Sequence, residues 1–225
     1  MDKASPAAAL AAIYECLLAA YGPQNWWPAR SPFEVMVGAI LTQSAAWGNV
    51  EKAISRLEEA GALSAAALRR INEAELSNLI YCCGYYRAKA RKLKALAEWL
   101  KEACNDDLGR LFAADIESLR RQLLAVHGIG PETADSILLY AAAKPTFVID
   151  AYTRRILSRL GLALGKESYD DLKRLFEENL PVDVPLYNEY HALLVRHGKD
   201  VCRQKPLCQG CCLKDMCNYW RDDAG

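Results

Sequence analysis

The stretch HGIGPETAD, residues 127–135, is the most informative local pattern in this sequence. It lies between two segments with helical hydrophobic periodicity, and its two glycines, Gly128 and Gly130, enclose the apolar Ile129. Because glycine tolerates positive φ, this pattern predicts a tight hairpin between two helices. The amides near the glycines and the start of the next helix then form a site for an anion, while Ile129 packs into the core. An ordinary turn between helices explains the same pattern, so the hairpin alone does not identify a function.

The sequence on both sides of the hairpin predicts an all-α fold. Ser5-Pro6 and Ser31-Pro32 each combine a helix cap with a proline at the first helical position, and Asp115 supplies another cap. The only notable β-branched run, Thr146–Ile149, is too short to build a sheet. We predict helices over about residues 6–21, 32–42, 49–60, 64–70, 73–82, 86–103, 116–124, 131–142, 151–160, 169–179 and 184–197.

Composition excludes wholesale disorder and binding of nucleic acid by bulk charge. Of the 225 residues, 52% are hydrophobic and 25% are charged, so the chain can bury a core. The 28 Lys and Arg residues balance the 28 Asp and Glu residues, and zero net charge argues against a protein that coats nucleic acid. Five basic residues nevertheless lie close together with no acid between them: Arg87, Lys89, Arg91, Lys92 and Lys94. They form either a solvated helix face or a patch that contacts phosphates.

The segment Ala7–Tyr21 is the only one that could be mistaken for a targeting sequence. It contains Glu15 and follows no extended basic region, so we do not expect a signal peptide. No apolar run is long enough to span a membrane, and the uneven cysteine distribution does not suit a secreted disulfide scaffold. We therefore expect a soluble protein of the reducing cytoplasm, associated with the nucleoid if the source is bacterial.

Four C-terminal cysteines have a spacing that predicts a metal site, Cys202-x5-Cys208-x2-Cys211-x5-Cys217. Zinc and an iron–sulfur cluster both accept four thiolates. Zinc sites usually pair two short turns, whereas this loop has one short spacing between two longer ones, which favours iron–sulfur. The spacing allows Cys212 to take the place of Cys211 as the third ligand.

Asp150 follows the apolar pair Val148-Ile149 and precedes a predicted helix. Aspartate is a favoured N-cap, which is a sufficient structural explanation of its position. A carboxylate at a helix N-terminus is also kept ionised by the helix dipole. That charge state is required of a group that stabilises a developing cation or activates a water molecule.

The hairpin, the later aspartate and the four-cysteine loop, in this order on a helical chain, resemble the endonuclease III superfamily of helix–hairpin–helix DNA glycosylases. The resemblance extends from about Pro28 to Cys217. It implies a two-lobed helical fold with a C-terminal iron–sulfur loop at residues 202–217. One domain is expected over residues 30–135 and ends in the helix–hairpin–helix, and the other combines residues 1–29 with 136–225.

The resemblance also implies roles for individual residues. Gly128, Ile129 and Gly130 would hold the backbone of double-stranded DNA that contains a damaged base, and Asp150 would be catalytic. Cys202, Cys208, Cys211 and Cys217 would bind a 4Fe-4S cluster. Gln43 matches a residue that the family inserts where a base has been extruded, and Tyr85 matches the wedge loop on the opposite strand. We expect the protein to act as a monomer, away from membranes.

Two departures from the family pattern qualify these expectations. Five residues separate Cys202 from Cys208, where the family usually has six. Glu132 stands just after the hairpin, where bifunctional members carry a lysine that attacks the sugar and forms a Schiff base. A carboxylate cannot form an imine, so we expect a monofunctional glycosylase without that lyase activity.

The tryptophans suggest which base is removed. Trp26, Trp27 and Trp47 resemble the aromatic pocket of the 3-methyladenine DNA glycosylase III branch, although core packing is the plain alternative. N-alkylated purines are cationic and would be attracted to indole faces, and Glu132 could add negative potential near the base. We therefore expect alkylated purines as substrates. The alternatives are an endonuclease III-like glycosylase for oxidised pyrimidines and a non-enzymatic helix–hairpin–helix DNA-binding protein.

Overall fold

The computed structural model describes residues 5–223, and the all-α prediction is confirmed because this range contains no β-strand. None of its helices combines the length and the hydropathy that crossing a membrane requires. The helices are α1 (Pro6–Tyr21), α2 (Pro32–Leu41), α3 (Trp47–Glu59), α4 (Ala65–Arg70), α5 (Glu73–Leu79), α6 (Tyr86–Cys104), α7 (Leu108–Phe112), α8 (Ile116–Ala125), α9 (Pro131–Ser136, continued by a π-helical turn over Ile137–Ala141), α10 (Ala151–Leu160), α11 (Tyr169–Glu177), α12 (Val184–Asp200) and α13 (Asn218–Asp223).

The predicted helix caps are confirmed. The hydroxyl oxygens of Ser5 and Ser31 accept hydrogen bonds from backbone N–H groups at 3.3 and 3.2 Å, and Asp115 Oδ1 accepts one at 2.9 Å. Each cap satisfies one of the N–H groups that a helix start leaves unpaired. Helix α3 begins at Trp47, two residues ahead of its predicted start, and the short helices α7 and α13 were not predicted.

The chain divides into two compact units. The continuous unit runs from Trp27 to Lys144, and the discontinuous unit combines the chain up to Trp26 with the chain from Pro145 onward. The continuous unit therefore contains α2 to α9 and the hairpin. The discontinuous unit contains α1, α10 to α13, Asp150 and the cysteine loop.

Helix α2 is the central element of the continuous unit. All its residues from Glu34 to Leu41 are buried, and it packs against α3, α6 and α9. A helix that is apolar on nearly every side is stable only in such a central position. Gly38 lets Trp27 approach closely, because a Cβ at this position would lie 2.9 Å from Trp27 Cζ2. The end of α2 leads directly to Gln43.

An extended segment, residues 145–150, leads to Asp150 in the discontinuous unit. It has no sheet partner within the described chain, and the side chain of Glu177 takes part of that role. Glu177 Oε1 accepts hydrogen bonds from Phe147 N at 2.8 Å and from Thr146 Oγ1 at 3.1 Å. The Phe147 ring stacks on Phe176 with their centroids 3.8 Å apart. The segment is thus fixed by side chains instead of a β-ladder.

Candidate functional site

The predicted hairpin forms between α8 and α9. Gly128 has φ of +83°, the left-handed conformation that glycine adopts at little cost, and Gly130 is the N-cap residue of α9. Ile129 is 5% exposed and belongs to the core, and its N–H donates to Val126 O at 3.1 Å. The structure therefore confirms the tight turn and the buried Ile129.

A buried ion pair joins the two helices that flank the hairpin. Asp135 on α9 is completely buried, and its carboxylate accepts hydrogen bonds from Arg120 on α8 at 2.9 and 3.1 Å. Such a bidentate pair defines the relative orientation of both groups. This pair was not predicted, although both of its charged residues lie in the helical segments next to the glycines.

Gln43 contacts the hairpin directly. Its Nε2 donates to the carbonyl oxygen of Gly128 at 3.0 Å and to Thr133 Oγ1 at 2.9 Å. Its Oε1 accepts a hydrogen bond from Lys92 Nζ at 2.6 Å. The structure thus brings together two features that the sequence analysis treated separately, the hairpin and the residue expected to enter the DNA.

Tyr85 is strongly exposed and has an unusual backbone. Its side chain is 78% exposed, and its φ of +45° lies in the left-handed region that costs a residue other than glycine about 1–2 kcal/mol. The buried Lys89 supports this turn, since its Nζ donates to Cys83 O at 2.7 Å and to Leu41 O at 2.9 Å. Burial lowers the pKa of Lys89. One ammonium group therefore links the turn before Tyr85 to the end of α2, close to Gln43.

The basic stretch of α6 divides into lysines with internal contacts and exposed arginines. Lys89 and Lys92 make the internal contacts given above, and Lys94 Nζ donates to Leu68 O and Ile71 O at 2.9 and 2.7 Å. These lysines stabilise backbone and side-chain oxygens inside the continuous unit. Only Arg87 and Arg91 of the five residues are exposed. Three of the five charges therefore make internal contacts, and Arg87 and Arg91 remain for a solvated face or a phosphate contact, which stay predictions.

Two of the three predicted base-binding tryptophans form an aromatic cluster. Trp27 contacts Trp47 edge to face, with ring centroids 5.3 Å apart and an angle of 87°. Tyr140 completes the cluster at 5.3 Å from Trp27. Trp26 is half-buried and belongs to the discontinuous unit, and Glu132 is exposed in the first turn of α9. Tyr140 was not predicted, because it lies in an apolar helical pattern that resembles ordinary core.

Asp150 is the N-cap of α10 and is largely buried. It is 9% exposed, and its Oδ1 accepts a hydrogen bond from Thr153 N at 2.7 Å. The carboxylate therefore caps the N-terminal end of α10. His191 Nε2 lies 4.0 Å from Asp150 Oδ2, and burial lowers the pKa of His191. The histidine, which the sequence analysis did not identify, is therefore a neutral neighbour of the carboxylate.

The four predicted cysteine ligands line one pocket of the discontinuous unit. Ile156, Leu160 and Leu213 are among the other residues that line it. Cys212 does not line it, and its thiol interacts with Tyr21 and Cys16 instead. The structure thus brings together Cys202, Cys208, Cys211 and Cys217.

Two arginines of α10 hold the cysteine loop. Arg155 donates to the carbonyl oxygens of Cys202 and Gly198 at 2.8 and 2.7 Å. Arg159 donates to Cys202 Sγ at 3.2 Å and to Arg203 O at 2.6 Å. Because α10 begins at Asp150, the same helix supports the carboxylate at one end and the loop along its length. These contacts were not predicted, because the charge pattern of this helix is that of an ordinary exposed helix.

Comparison with known proteins identifies the family. A family model described as HhH-GPD superfamily base excision DNA repair protein matches residues 37–182. The chain belongs to this superfamily. A Methanocaldococcus jannaschii protein named "Putative DNA repair glycosylase MJ1434" is 47% identical over 206 residues, which cover 91% of this chain and 94% of that protein. The endonuclease III of Sulfolobus acidocaldarius is 31% identical over 196 residues, 86% of this chain and 85% of that protein.

Solved structures agree with this assignment. A non-covalent endonuclease III–DNA complex has a TM-score of 0.84 at 21% identity and covers 97% of this chain and 98% of its own, which establishes the shared fold. The H. pylori 3-methyladenine DNA glycosylase MagIII, bound to 1,N6-ethenoadenine, has a TM-score of 0.75 at 27% identity and covers 87% and 98%. The predicted endonuclease III resemblance is confirmed, and the protein is a DNA glycosylase of this superfamily.

Proposed function

We propose that this glycosylase hydrolyses the N-glycosidic bond of alkylated purines in double-stranded DNA. We infer the substrate class mainly from the cluster of Trp27, Trp47 and Tyr140. An N-alkylated purine is cationic, and aromatic faces attract a cation by about 0.5–2 kcal/mol. The likeness to MagIII bound to 1,N6-ethenoadenine supports the same class. We assign Trp26, Trp27, Trp47 and Glu132 to recognition of the base.

The DNA-contacting residues follow from the need to expose the base. A glycosidic bond inside stacked DNA is inaccessible, and extrusion of a base costs a few kcal/mol. We propose that the backbone at Gly128, Ile129 and Gly130 binds phosphate and that Gln43 and Tyr85 enter the duplex. The exposure of Tyr85 and the contact between Gln43 and the hairpin support these roles.

Asp150 would supply the chemistry in its ionised form. As the glycosidic bond breaks, its electron pair leaves with the base and positive charge develops on the sugar, which the carboxylate stabilises. Water then adds to the sugar carbon, and Asp150 accepts the proton that the water loses. A neutral His191 does not compensate the negative charge of Asp150. An alkylated base is already a good leaving group, so this reaction needs neither a lysine nucleophile nor a strong acid.

We propose that Cys202, Cys208, Cys211 and Cys217 hold a 4Fe-4S cluster. All four line one pocket of the discontinuous unit. Four thiolates are the ligand set that such a cluster takes. Burial raises the pKa of the Cys211 thiol to about 11, and metal binding would supply the compensating positive charge. When bound, the cluster cross-links the loop and thereby stabilises it.

Base release from a panel of lesions tests the substrate class. The enzyme should release 3-methyladenine, which is cationic in DNA, from a duplex substrate. Trp47→Leu should slow this release about tenfold, since base–aromatic stacking contributes about 1–3 kcal/mol. Trp99→Leu, which removes a half-buried tryptophan of α6 outside the cluster, is the matched control. Release of thymine glycol or uracil in place of the alkylated purines would contradict the assignment.

Borohydride trapping tests the absence of Schiff-base chemistry. Because Glu132 stands where bifunctional members carry the lysine, no covalent enzyme–DNA adduct should form during turnover. An endonuclease III with lyase activity, trapped on a duplex carrying its own substrate, is the positive control. An efficiently trapped adduct of this protein would show that another amine attacks the sugar, and the monofunctional assignment would be wrong.

The two adjacent cysteines provide a matched test of the cluster. The purified protein should absorb at about 400 nm, in contrast to a colourless zinc protein. Cys211→Ser should lose most of this absorbance, whereas Cys212→Ser should keep it, because only Cys211 lines the pocket. A colourless wild-type protein would contradict the cluster. Loss of absorbance in Cys212→Ser but not in Cys211→Ser would contradict the ligand assignment.

A further inference from the structure

We infer that Lys92 is a positioning residue that orients Gln43 for insertion into DNA, an inference that rests on the proposed role of Gln43. The contact is short, with 2.6 Å between Lys92 Nζ and Gln43 Oε1. An ammonium group can only donate hydrogen bonds, so it selects the oxygen side of the amide. Lys92 therefore determines which way the Gln43 amide faces.

The opposite side of the same amide is fixed by the hairpin. Gln43 Nε2 donates to Gly128 O and to Thr133 Oγ1. A reversed amide would place its oxygen against the Gly128 carbonyl and its N–H groups against the Lys92 ammonium, and both contacts would be repulsive. Lys92, Gly128 and Thr133 thus specify a single orientation of the side chain that is proposed to occupy the space of the extruded base.

Lys92 also packs directly beneath the hairpin. A Cβ added to Gly128 would lie 2.3 Å from Lys92 Cγ, so the glycine backbone rests on the aliphatic part of the lysine. The residue consequently contacts both the proposed phosphate-binding turn and the proposed inserting residue.

A direct phosphate contact is the competing role for a lysine at this place. The neighbouring Arg87 and Arg91 are exposed, whereas Lys92 is half-buried and its ammonium group is engaged by Gln43. A phosphate contact would act independently of Gln43 and would weaken with salt. An orienting role disappears when Gln43 is absent.

A double-mutant cycle distinguishes the two roles. The probe is a duplex with a stable abasic-site analogue and a neighbouring 2-aminopurine, whose fluorescence reports unstacking. Lys92→Met should weaken binding about tenfold and reduce the fluorescence rise, because it removes the hydrogen bond from a charged group to Gln43. Gln43→Ala should have a similar effect, and the double variant should be no weaker than Gln43→Ala alone. Lys52→Met, which removes an exposed lysine of α3, controls for loss of one charge.

Thr133→Val provides a second variant of nearly unchanged volume. It removes one acceptor of the Gln43 amide from the hairpin side and should also reduce the fluorescence rise, with the melting temperature measured for every variant. Independent losses in Lys92→Met and Gln43→Ala, or a Lys92→Met effect that vanishes in high salt, would overturn the inference and favour a phosphate contact. If Gln43→Ala itself changes nothing, the proposed role of Gln43 fails, and the inference fails with it.

Discussion

Asp150, the proposed catalytic residue, is held at one largely buried position, and contacts within the discontinuous unit fix it there. Asp150 obtains its hydrogen bond from Thr153 N–H and a favourable field from the start of α10. The chain that leads to it has no sheet to fix it, and Glu177 and the stacked Phe147 provide that support. These contacts reduce the conformational freedom of the segment, as the proposed electrostatic role of Asp150 requires.

The cysteine loop is held by the same helix that Asp150 caps. Arg155 and Arg159 project from α10 and hold backbone oxygens of the loop, so the loop and the helix that carries Asp150 stabilise each other. This part of the chain contains few apolar residues of its own. A bound metal centre would compensate for the missing core, as is usual for small cysteine-rich segments.

The continuous unit carries the glycine hairpin and the strained turn at Tyr85. Two buried charges fix these turns. Asp135, paired with Arg120, fixes the helices on either side of the hairpin, and Lys89 connects the end of α2 to the turn that carries Tyr85. Buried charges are costly unless they are well bonded, and both of these are. Their hydrogen bonds offset the free-energy cost of burial and define the geometry of these turns.

Features that depend on neighbouring residues could be predicted from the sequence. The helix caps, the hairpin and the cysteine spacing are local, and the structure contains all of them. The basic stretch shows where such prediction ends, because no local pattern reveals that Lys94 meets the carbonyl oxygens at the end of α4. Tyr140 and His191 were not predicted for the same reason. Each becomes part of a site only through a partner that is distant in sequence.

The substitution Asp150→Asn tests whether the carboxylate that caps α10 acts in the reaction. Asparagine keeps the size and the capping oxygen of aspartate, so the fold and the affinity for damaged duplex should change little. Single-turnover release of 3-methyladenine should fall by a factor of about 100 or more, because the negative charge is lost. A rate equal to that of the wild type, in a folded variant that still binds the duplex, would contradict the account.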